Sequence, residues 1–231
     1  MFDFTGKTIV VTGAAGALGF AVARQFARAG GRLVMVDVAA EALAVRAREL
    51  GGDARTIAVD LLDGARVKAA LGALDNVDVL CNIAGGFRMG PPVHETGLDL
   101  WRTMMDMNAT SLLNVVGATV PAMQKRGSGK IINIGALSAL SGKPNMAAYT
   151  ASKSAVIRLT ESLALELRDQ GINVNCVLPS IIDTPANRAD MPKADFAKWV
   201  TPDALADVIM FLASDAARAV HGAAIPVPGL S

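Results

Sequence analysis

Short apolar runs rich in β-branched residues alternate with helical patterns along this 231-residue chain. In its first half the strand patterns cover residues 7–12, 32–38, 55–59 and 77–82, and helical patterns separate them. This alternation is typical of a parallel sheet whose two faces are both covered by helices. The sequence therefore predicts a doubly wound, Rossmann-type α/β fold with three layers.

The second half continues the pattern, with strands predicted at 130–134, 171–178 and 223–227, which makes about seven in all. A long helix is predicted over 100–125, with a bend near Pro121 because proline disrupts helical hydrogen bonding. No linker, repeat or low-complexity segment interrupts the chain. We therefore expect one domain over residues 1–231.

Composition excludes several classes of function. The formal net charge is +1 with no long run of one sign, which argues against nucleic acid or an anionic membrane as partner. Cys81 and Cys176 lie in apolar strands and are expected to be buried, and His94 and His221 are too far apart in sequence to suggest a metal site. The N-terminus lacks a signal pattern and no apolar run reaches the ~18 residues of a membrane span, so a cytoplasmic protein is expected.

The chain's one tyrosine, Tyr149, lies four positions before Lys153 in a predicted helix over residues 146–167. Four residues are about one helical turn, so the phenol and the ammonium share a face. A nearby cation favours the phenolate and lowers its pKa from ~10. The pair predicts a proton donor and acceptor usable near neutral pH. Spacing alone also allows a packed aromatic beside a solvated lysine.

A glycine-rich turn at 13–19 joins the first strand to the first helix, an arrangement that can bind a pyrophosphate at the helix N-terminus. Asp37 ends the second strand about where an acidic residue bonds the adenosine ribose hydroxyls. A carboxylate there repels a 2′-phosphate, so NAD(H) is preferred over NADP(H). A simple tight turn and a strand-end aspartate are the alternatives.

In this order the motifs resemble those of the short-chain dehydrogenase/reductase family over essentially the full length. The resemblance implies that Tyr149 is the general acid or base, that Lys153 lowers its pKa and holds the nicotinamide ribose, and that Asn108 binds a water that relays the proton. No metal is expected, because no cluster of metal ligands is visible in the sequence. The implied cofactor-binding residues are Gly13, Ala15, Gly16, Leu18, Gly19, Asp37, Asp60, Leu61, Asn82, Ala84, Gly85, Tyr149, Lys153, Pro179, Ile182 and Thr184.

One departure concerns the substrate oxygen. The family places a serine 13 residues before the tyrosine, and this chain has Ala136 there, with Ser138 as the nearest substitute. Dihydropteridine reductases share that alanine and resemble the chain over residues 178–199. That stretch also fits a wider group of reductases whose substrates vary.

The expected function is hydride transfer between NAD(H) and a small or cyclic carbonyl, alcohol or imine-like substrate, including quinonoid dihydropterin. The alternative is a non-catalytic NAD-binding regulatory protein, because the serine position is Ala136. The resemblance also implies a homodimer or homotetramer. Residues 185–200 are expected to form a lid over the substrate that becomes ordered when the cofactor binds. The alternative is a helical segment that is always packed against the rest of the protein.

Overall fold

The computed structural model describes residues 2–51 and 54–231, and in these ranges seven parallel strands form a single sheet. Its strand order is β3-β2-β1-β4-β5-β6-β7, so the predicted doubly wound architecture is confirmed. The strands are β1 (Thr8–Thr12), β2 (Arg32–Asp37), β3 (Arg55–Ala58), β4 (Val79–Asn82), β5 (Gly129–Ile134), β6 (Ile172–Pro179) and β7 (Ala224–Val227).

Helices cover both faces of the sheet, as the buried, apolar strands require. Three helices pack on one face with the core around Phe26, and three others pack on the opposite face with the core around Leu80. The helices are α1 (Ala17–Arg28), α2 (Ala40–Glu49), α3 (Gly64–Leu71), α4 (Leu98–Met105), α5 (Ser111–Arg126), α6 (Ala147–Leu167), α7 (Pro185–Asp190) and α8 (Pro202–Ala213). The first face carries α1, α2 and α8, and the second carries α3, α5 and α6.

The strand order reverses between β1 and β4. The chain moves outward from β1 through β2 to β3 and then returns to place β4 on the other side of β1. Thr12 pairs with Val36 on one side and with Asn82 on the other, so the three strands end at one level. A crevice opens at the carboxyl ends of strands at such a switch point.

The predicted helix over 100–125 is wrong in one respect. A π-helical turn at Asp106–Thr110 separates α4 from α5, and α5 continues through Pro121. The turn contains the buried Asn108, whose side chain bonds the backbone of Gly86. The π turn accompanies this tertiary contact, and π turns frequently occur at functional sites.

Both cysteines are buried and free, as their apolar surroundings predict. Burial raises the pKa of Cys81 far above its usual range and that of Cys176 to about 11. Among the described residues no helix is long and apolar enough to cross a membrane. The same part of the chain holds no group of three or more His, Cys, Asp or Glu placed to ligate a metal.

Candidate active site

A cleft of about 1790 Å³ lies over the carboxyl ends of the central strands. Most of the predicted site residues line it, although they come from nearly the whole length of the chain. These are Gly13, Gly16, Leu18, Gly19, Asp37, Asp60, Leu61, Ala84, Gly85, Ser138, Tyr149, Lys153, Pro179 and Ile182. The remaining four, Ala15, Asn82, Asn108 and Thr184, are not among the residues that line the cleft.

The glycine-rich turn presents an open helix end to the cleft. Gly16 is the N-cap of α1, no side chain caps that helix, and its first turn carries no acidic residue. The Asp37 carboxylate accepts a hydrogen bond from the Ala15 amide at 3.0 Å, which ties the turn to the end of β2. Uncapped N–H groups and the positive end of the helix dipole suit a pyrophosphate, so this turn fits a dinucleotide.

Close packing explains two glycines of the turn. Gly13 has a φ of +65°, and a Cβ there would lie 2.9 Å from the backbone of Ala84. A Cβ at Gly19 would lie 2.1 Å from the Gly13 carbonyl oxygen. The turn can therefore approach the end of β4 and the start of α1 only without side chains at these positions.

Thr12 fixes the segment that follows β4. Its hydroxyl oxygen accepts hydrogen bonds from the amides of Ile83 and Ala84, both at 3.1 Å. The sequence placed Thr12 at the end of the first predicted strand and gave it no further role. In the structure it aligns the Ala84–Gly85 wall of the cleft with the glycine-rich turn.

The side-chain amide of Asn82, a predicted cofactor residue, bonds the neighbouring strand, while its Oδ1 is buried and has no partner among the described residues. Its amide donates to Asn133 Oδ1 at 2.9 Å, and the Asn133 amide donates to the Thr160 hydroxyl at 2.9 Å. All three side chains are buried. Asn82 thus joins β4 to β5 and α6 from beneath the cleft, while Ala84 and Gly85 line the cleft itself.

Asn108 holds the loop after β4 in place. Its Oδ1 accepts from the Gly86 amide at 3.0 Å, and its Nδ2 donates to the Gly86 carbonyl at 3.1 Å and to the Ser152 hydroxyl at 3.0 Å. A Cβ at Gly85 would lie 2.7 Å from Asn108 Oδ1 and 3.2 Å from Lys153 Nζ. Both N–H groups are occupied, so this side chain has none left to donate to the relay water that the sequence predicts.

Lys153 lies at the inner wall of the cleft and is only 5% exposed. Its ammonium donates a 2.8 Å hydrogen bond to the Ile134 carbonyl at the end of β5. Burial lowers the pKa of Lys153 to about 8. An amine that titrates close to neutral pH can lose or regain a proton during a catalytic cycle.

The pKa of Tyr149 shifts in the direction opposite to the one predicted. Burial raises the pKa of the Tyr149 phenol to about 12, because desolvation opposes the phenolate and outweighs any cation nearby. Phe87 packs edge-to-face on Tyr149, with ring centroids 4.8 Å apart. In the protein without a cofactor, the phenol is therefore protonated at neutral pH and arranged to donate.

Sequence reasoning missed two of these neighbours. Ser152 receives the Asn108 hydrogen bond and donates to the Tyr149 carbonyl at 2.8 Å. Its place between Tyr149 and Lys153 was the available signal. Phe87 belongs to a glycine- and proline-rich loop, so no periodicity indicated its contact.

Ala136, which occupies the position of the family's serine, lines the cleft. Ala136 is 3% exposed and precedes a 3₁₀ turn at Leu137–Leu140. Ser138 lies in that turn, is half-buried and lines the same cleft. Its hydroxyl makes no hydrogen bond to another described residue, which leaves it free to bind a ligand oxygen.

Residues 185–200 contain α7 and a 3₁₀ turn. Thr184 Oγ1 accepts from the Asn187 amide at 3.2 Å, so Thr184 is the N-cap of α7, and its hydroxyl proton stays available for the predicted cofactor contact. Arg188 pairs with Asp183 and lies over the Phe196 ring at 4.8 Å. Trp199 is buried at the end of the segment.

The chain matches known proteins over nearly all of its length. The family model for short chain dehydrogenases matches residues 7–195. D-threitol dehydrogenase of Mycolicibacterium smegmatis is 34% identical, over 99% of this chain and 94% of that protein. The 2,5-dichloro-2,5-cyclohexadiene-1,4-diol dehydrogenase LinX of Sphingobium indicum is 32% identical, over 97% of this chain and 95% of that protein.

A solved structure also matches the chain over nearly its full length. A proposed NAD(P)-dependent gluconate 5-dehydrogenase from Beutenbergia cavernae, with NADP bound at low occupancy, has a TM-score of 0.90 and is 34% identical. The comparison covers 99% of this chain and 97% of that one. The chain therefore belongs to the short chain dehydrogenase family and is an NAD(P)-dependent oxidoreductase that acts on CH–OH groups.

Proposed function

We propose that this protein interconverts a secondary alcohol and a carbonyl in a small polyhydroxylated or cyclic substrate, with NAD(H) as the hydride carrier. The observation that carries the proposal is the meeting of Tyr149 and the buried Lys153 at one wall of the dinucleotide-sized cleft. The named relatives act on a polyol and on a cyclic diol, which supports the same substrate type.

The proposed chemistry assigns one proton and one hydride. The bound nicotinamide supplies hydride transfer. Tyr149 donates its phenolic proton to the carbonyl oxygen during reduction, or accepts the hydroxyl proton during oxidation. Lys153 contributes a positive charge that stabilises the phenolate as it forms and takes part in restoring its proton.

The proposed preference for NAD(H) rests on Asp37. Its carboxylate lines the cleft, and both of its oxygens accept backbone hydrogen bonds, from Ala15 at 3.0 Å and from Ala39 at 3.1 Å. These bonds fix the negative charge beside the glycine-rich turn. A 2′-phosphate bound there would meet that charge at short range, whereas ribose hydroxyls could donate to it.

Ser138 is the proposed donor to the substrate oxygen. It lines the cleft with Tyr149, and Ala136 has no group that could serve. A second candidate, reduction of a quinonoid dihydropterin, is favoured by Ala136 because a conjugated ring C=N bond needs less polarisation than a ketone. In that case Ser138 would be dispensable.

The proposed function is tested by spectrophotometric assay of NAD⁺ reduction with polyols and cyclic diols, and of NADH oxidation with quinonoid dihydropterin. Wild type, Tyr149→Phe and Ser138→Ala are compared. Alcohol oxidation that requires both side chains supports the main proposal. Dihydropterin reduction that survives Ser138→Ala supports the second candidate, and NADH binding without turnover of any substrate contradicts both.

We also infer a homodimer or homotetramer in a reducing, cytoplasmic compartment. Large apolar side chains are exposed on three neighbouring helices, and the two cysteines are free. The exposed side chains are Leu98 and Trp101 on α4, Leu113 on α5 and Leu165 on α6. Light scattering with size exclusion measures the assembly, and a monomeric mass would contradict it.

A further inference from the structure

Two loops meet at one rim of the cleft, beside Tyr149. The Gly90 amide donates a 2.7 Å hydrogen bond to the Asn145 carbonyl, which joins the loop after β4 to the loop before α6. Asn145 has a φ of +59°, an uncommon conformation for a residue other than glycine. The junction therefore holds the two loops in a defined relation next to the candidate catalytic tyrosine.

Each joined loop contributes a cation to the cleft lining. Arg88 lies two residues before Gly90, and Lys143 lies two residues before Asn145. Within residues 2–51 and 54–231, neither side chain forms an ion pair or a hydrogen bond. Phe87 packs on the Tyr149 ring, so Arg88 is adjacent in sequence to a residue in contact with the reacting group.

None of the acidic residues in this part of the cleft pairs with Arg88 or Lys143 among the described residues. Asp99 pairs with Arg102 at 3.8 Å, and Asp106 accepts a hydrogen bond from Thr110 at 3.1 Å. Asp190, on α7, is the remaining carboxylate in this lining. Arg88 and Lys143 are thus the cations of this lining that have no partner among the described residues, since Arg102 pairs with Asp99 and Lys153 bonds the Ile134 carbonyl.

We propose that Arg88 and Lys143 bind an oxyanion group of the substrate, so that the substrate is a hydroxy acid or a phosphorylated alcohol. The inference rests on the proposed alcohol chemistry and specifies its substrate class. The guanidinium can bind two oxygens of a carboxylate or phosphate, and the lysine ammonium adds a point charge. Tyr149 then faces a carbon away from the anionic end.

A direct measurement of anion binding tests this inference, and it does not require that the ligand is turned over. The NADH-loaded protein is titrated by calorimetry with glutarate, with glycerol phosphate and with neutral pentanediol. We expect the anions to bind more tightly than pentanediol, and Arg88→Gln or Lys143→Gln to weaken anion binding about tenfold. Arg88→Lys should weaken anion binding less than Arg88→Gln does, because lysine keeps the positive charge but lacks the two parallel N–H donors of the guanidinium.

Arg48→Gln and Lys68→Gln are the matched controls, because both residues are exposed and outside the cleft lining. They should change anion binding less than twofold. Raising the salt from about 0.05 M to about 0.5 M should reduce the difference between glutarate and pentanediol. Tighter binding of glycerol phosphate than of glutarate would assign a phosphate as the anion.

Turnover is measured on the matched pair glucitol and gluconate, so that the two proposals can fail separately. Equal binding of glutarate and pentanediol, unaffected by Arg88→Gln, overturns the inference, and turnover of glucitol then leaves the proposed function standing. Anion binding lost in Arg88→Gln without oxidation of any alcohol leaves the anion site standing and overturns the proposed function.

Discussion

The Asn108 side-chain amide donates a 3.0 Å hydrogen bond to the Ser152 hydroxyl. The same hydroxyl donates to the Tyr149 carbonyl at 2.8 Å, so the π-helical turn is joined to the helix that carries the candidate acid. Asn108 also binds both backbone polar groups of Gly86. One buried asparagine therefore links the loop after β4 to the helix that carries Tyr149.

Replacement of Ser152 by alanine should destabilise the protein by about 1–3 kcal/mol, because one N–H of the buried Asn108 would lose its partner. Denaturant-induced unfolding measures the change. Ser141→Ala, at an exposed site, is the control and should shift stability by less than about 0.5 kcal/mol. Equal stability of the two variants would contradict the positioning role.

Replacement of Tyr149 by phenylalanine should lower kcat by about 10²–10⁴-fold, since it removes the proposed general acid. The ring and its edge-to-face contact with Phe87 remain possible, so the fold and NADH binding should be retained. Steady-state kinetics and NADH fluorescence titration measure the two effects. A kcat within a few fold of wild type would remove Tyr149 from the mechanism.

The buried Lys153 should make stability depend on pH. Its pKa is about 8 in the folded protein and ~10.4 in an unfolded chain, so above pH 8 this residue binds more protons in the unfolded state. The contribution of Lys153 to stability therefore rises with pH, while the raised pKa values of Cys81 and Cys176 act in the opposite direction. Between pH ~7 and ~9.5 the stability of wild type relative to Lys153→Met should rise by about 2 kcal/mol, measured by unfolding without cofactor.

Lys153→Met is the control for that experiment, because it should lack this gain. The comparison stops below pH ~10, where the raised pKa of Tyr149 acts in the opposite direction: the unfolded chain then loses its phenolic proton first. Parallel pH curves for wild type and Lys153→Met would show that the lysine is charged in the folded protein.

Asp37→Asn should lower the ratio of kcat/KM for NAD⁺ over NADP⁺ by about tenfold or more. The substitution removes the charge while leaving an oxygen that can accept from the Ala15 amide. Glu41→Gln, in the first turn of α2 and outside the cleft lining, is the charge-matched control. An unchanged cofactor ratio in Asp37→Asn would end the argument for NAD(H) preference.

The segment 185–200 should be cut more slowly by trypsin when NADH is bound. It offers exposed cleavage sites at Arg188, Lys193 and Lys198, while Asn187 and Asp190 line the cleft. A ligand that fills the cleft would hold α7 closed. Mass spectrometry of the fragments locates the cuts, and identical rates with and without NADH would favour a permanently packed segment.

Much of the fold could be predicted because each strand has a recognisable pattern in its own short stretch of sequence. The runs at 7–12 and 77–82 are apolar and β-branched, and the observed β1 and β4 fall within them. The π-helical turn could not be predicted in this way. It accompanies the bonding of Asn108 to Gly86, a tertiary contact that no local pattern near residue 108 reports.

In the candidate site, too, features set by local spacing could be predicted, and features set by tertiary packing could not. Spacing correctly placed Tyr149 and Lys153 on the same wall, and the glycine-rich turn at the mouth of the crevice. The pKa of Tyr149 was predicted in the wrong direction, because burial depends on how Phe87 and the surrounding loops pack. The helix-cap role of Thr184 was not predicted, because it depends on where α7 begins.

The hydrogen bonds from Ile83 and Ala84 to Thr12 join residues about seventy positions apart in the sequence. The cleft also requires Lys153 from α6 and Pro179 from the end of β6. Contacts this distant cannot form before the intervening chain exists. During synthesis the nucleotide pocket is thus completed only after the ribosome has passed Pro179, so a cofactor binds chains that extend beyond β6 and cannot direct the folding of shorter ones.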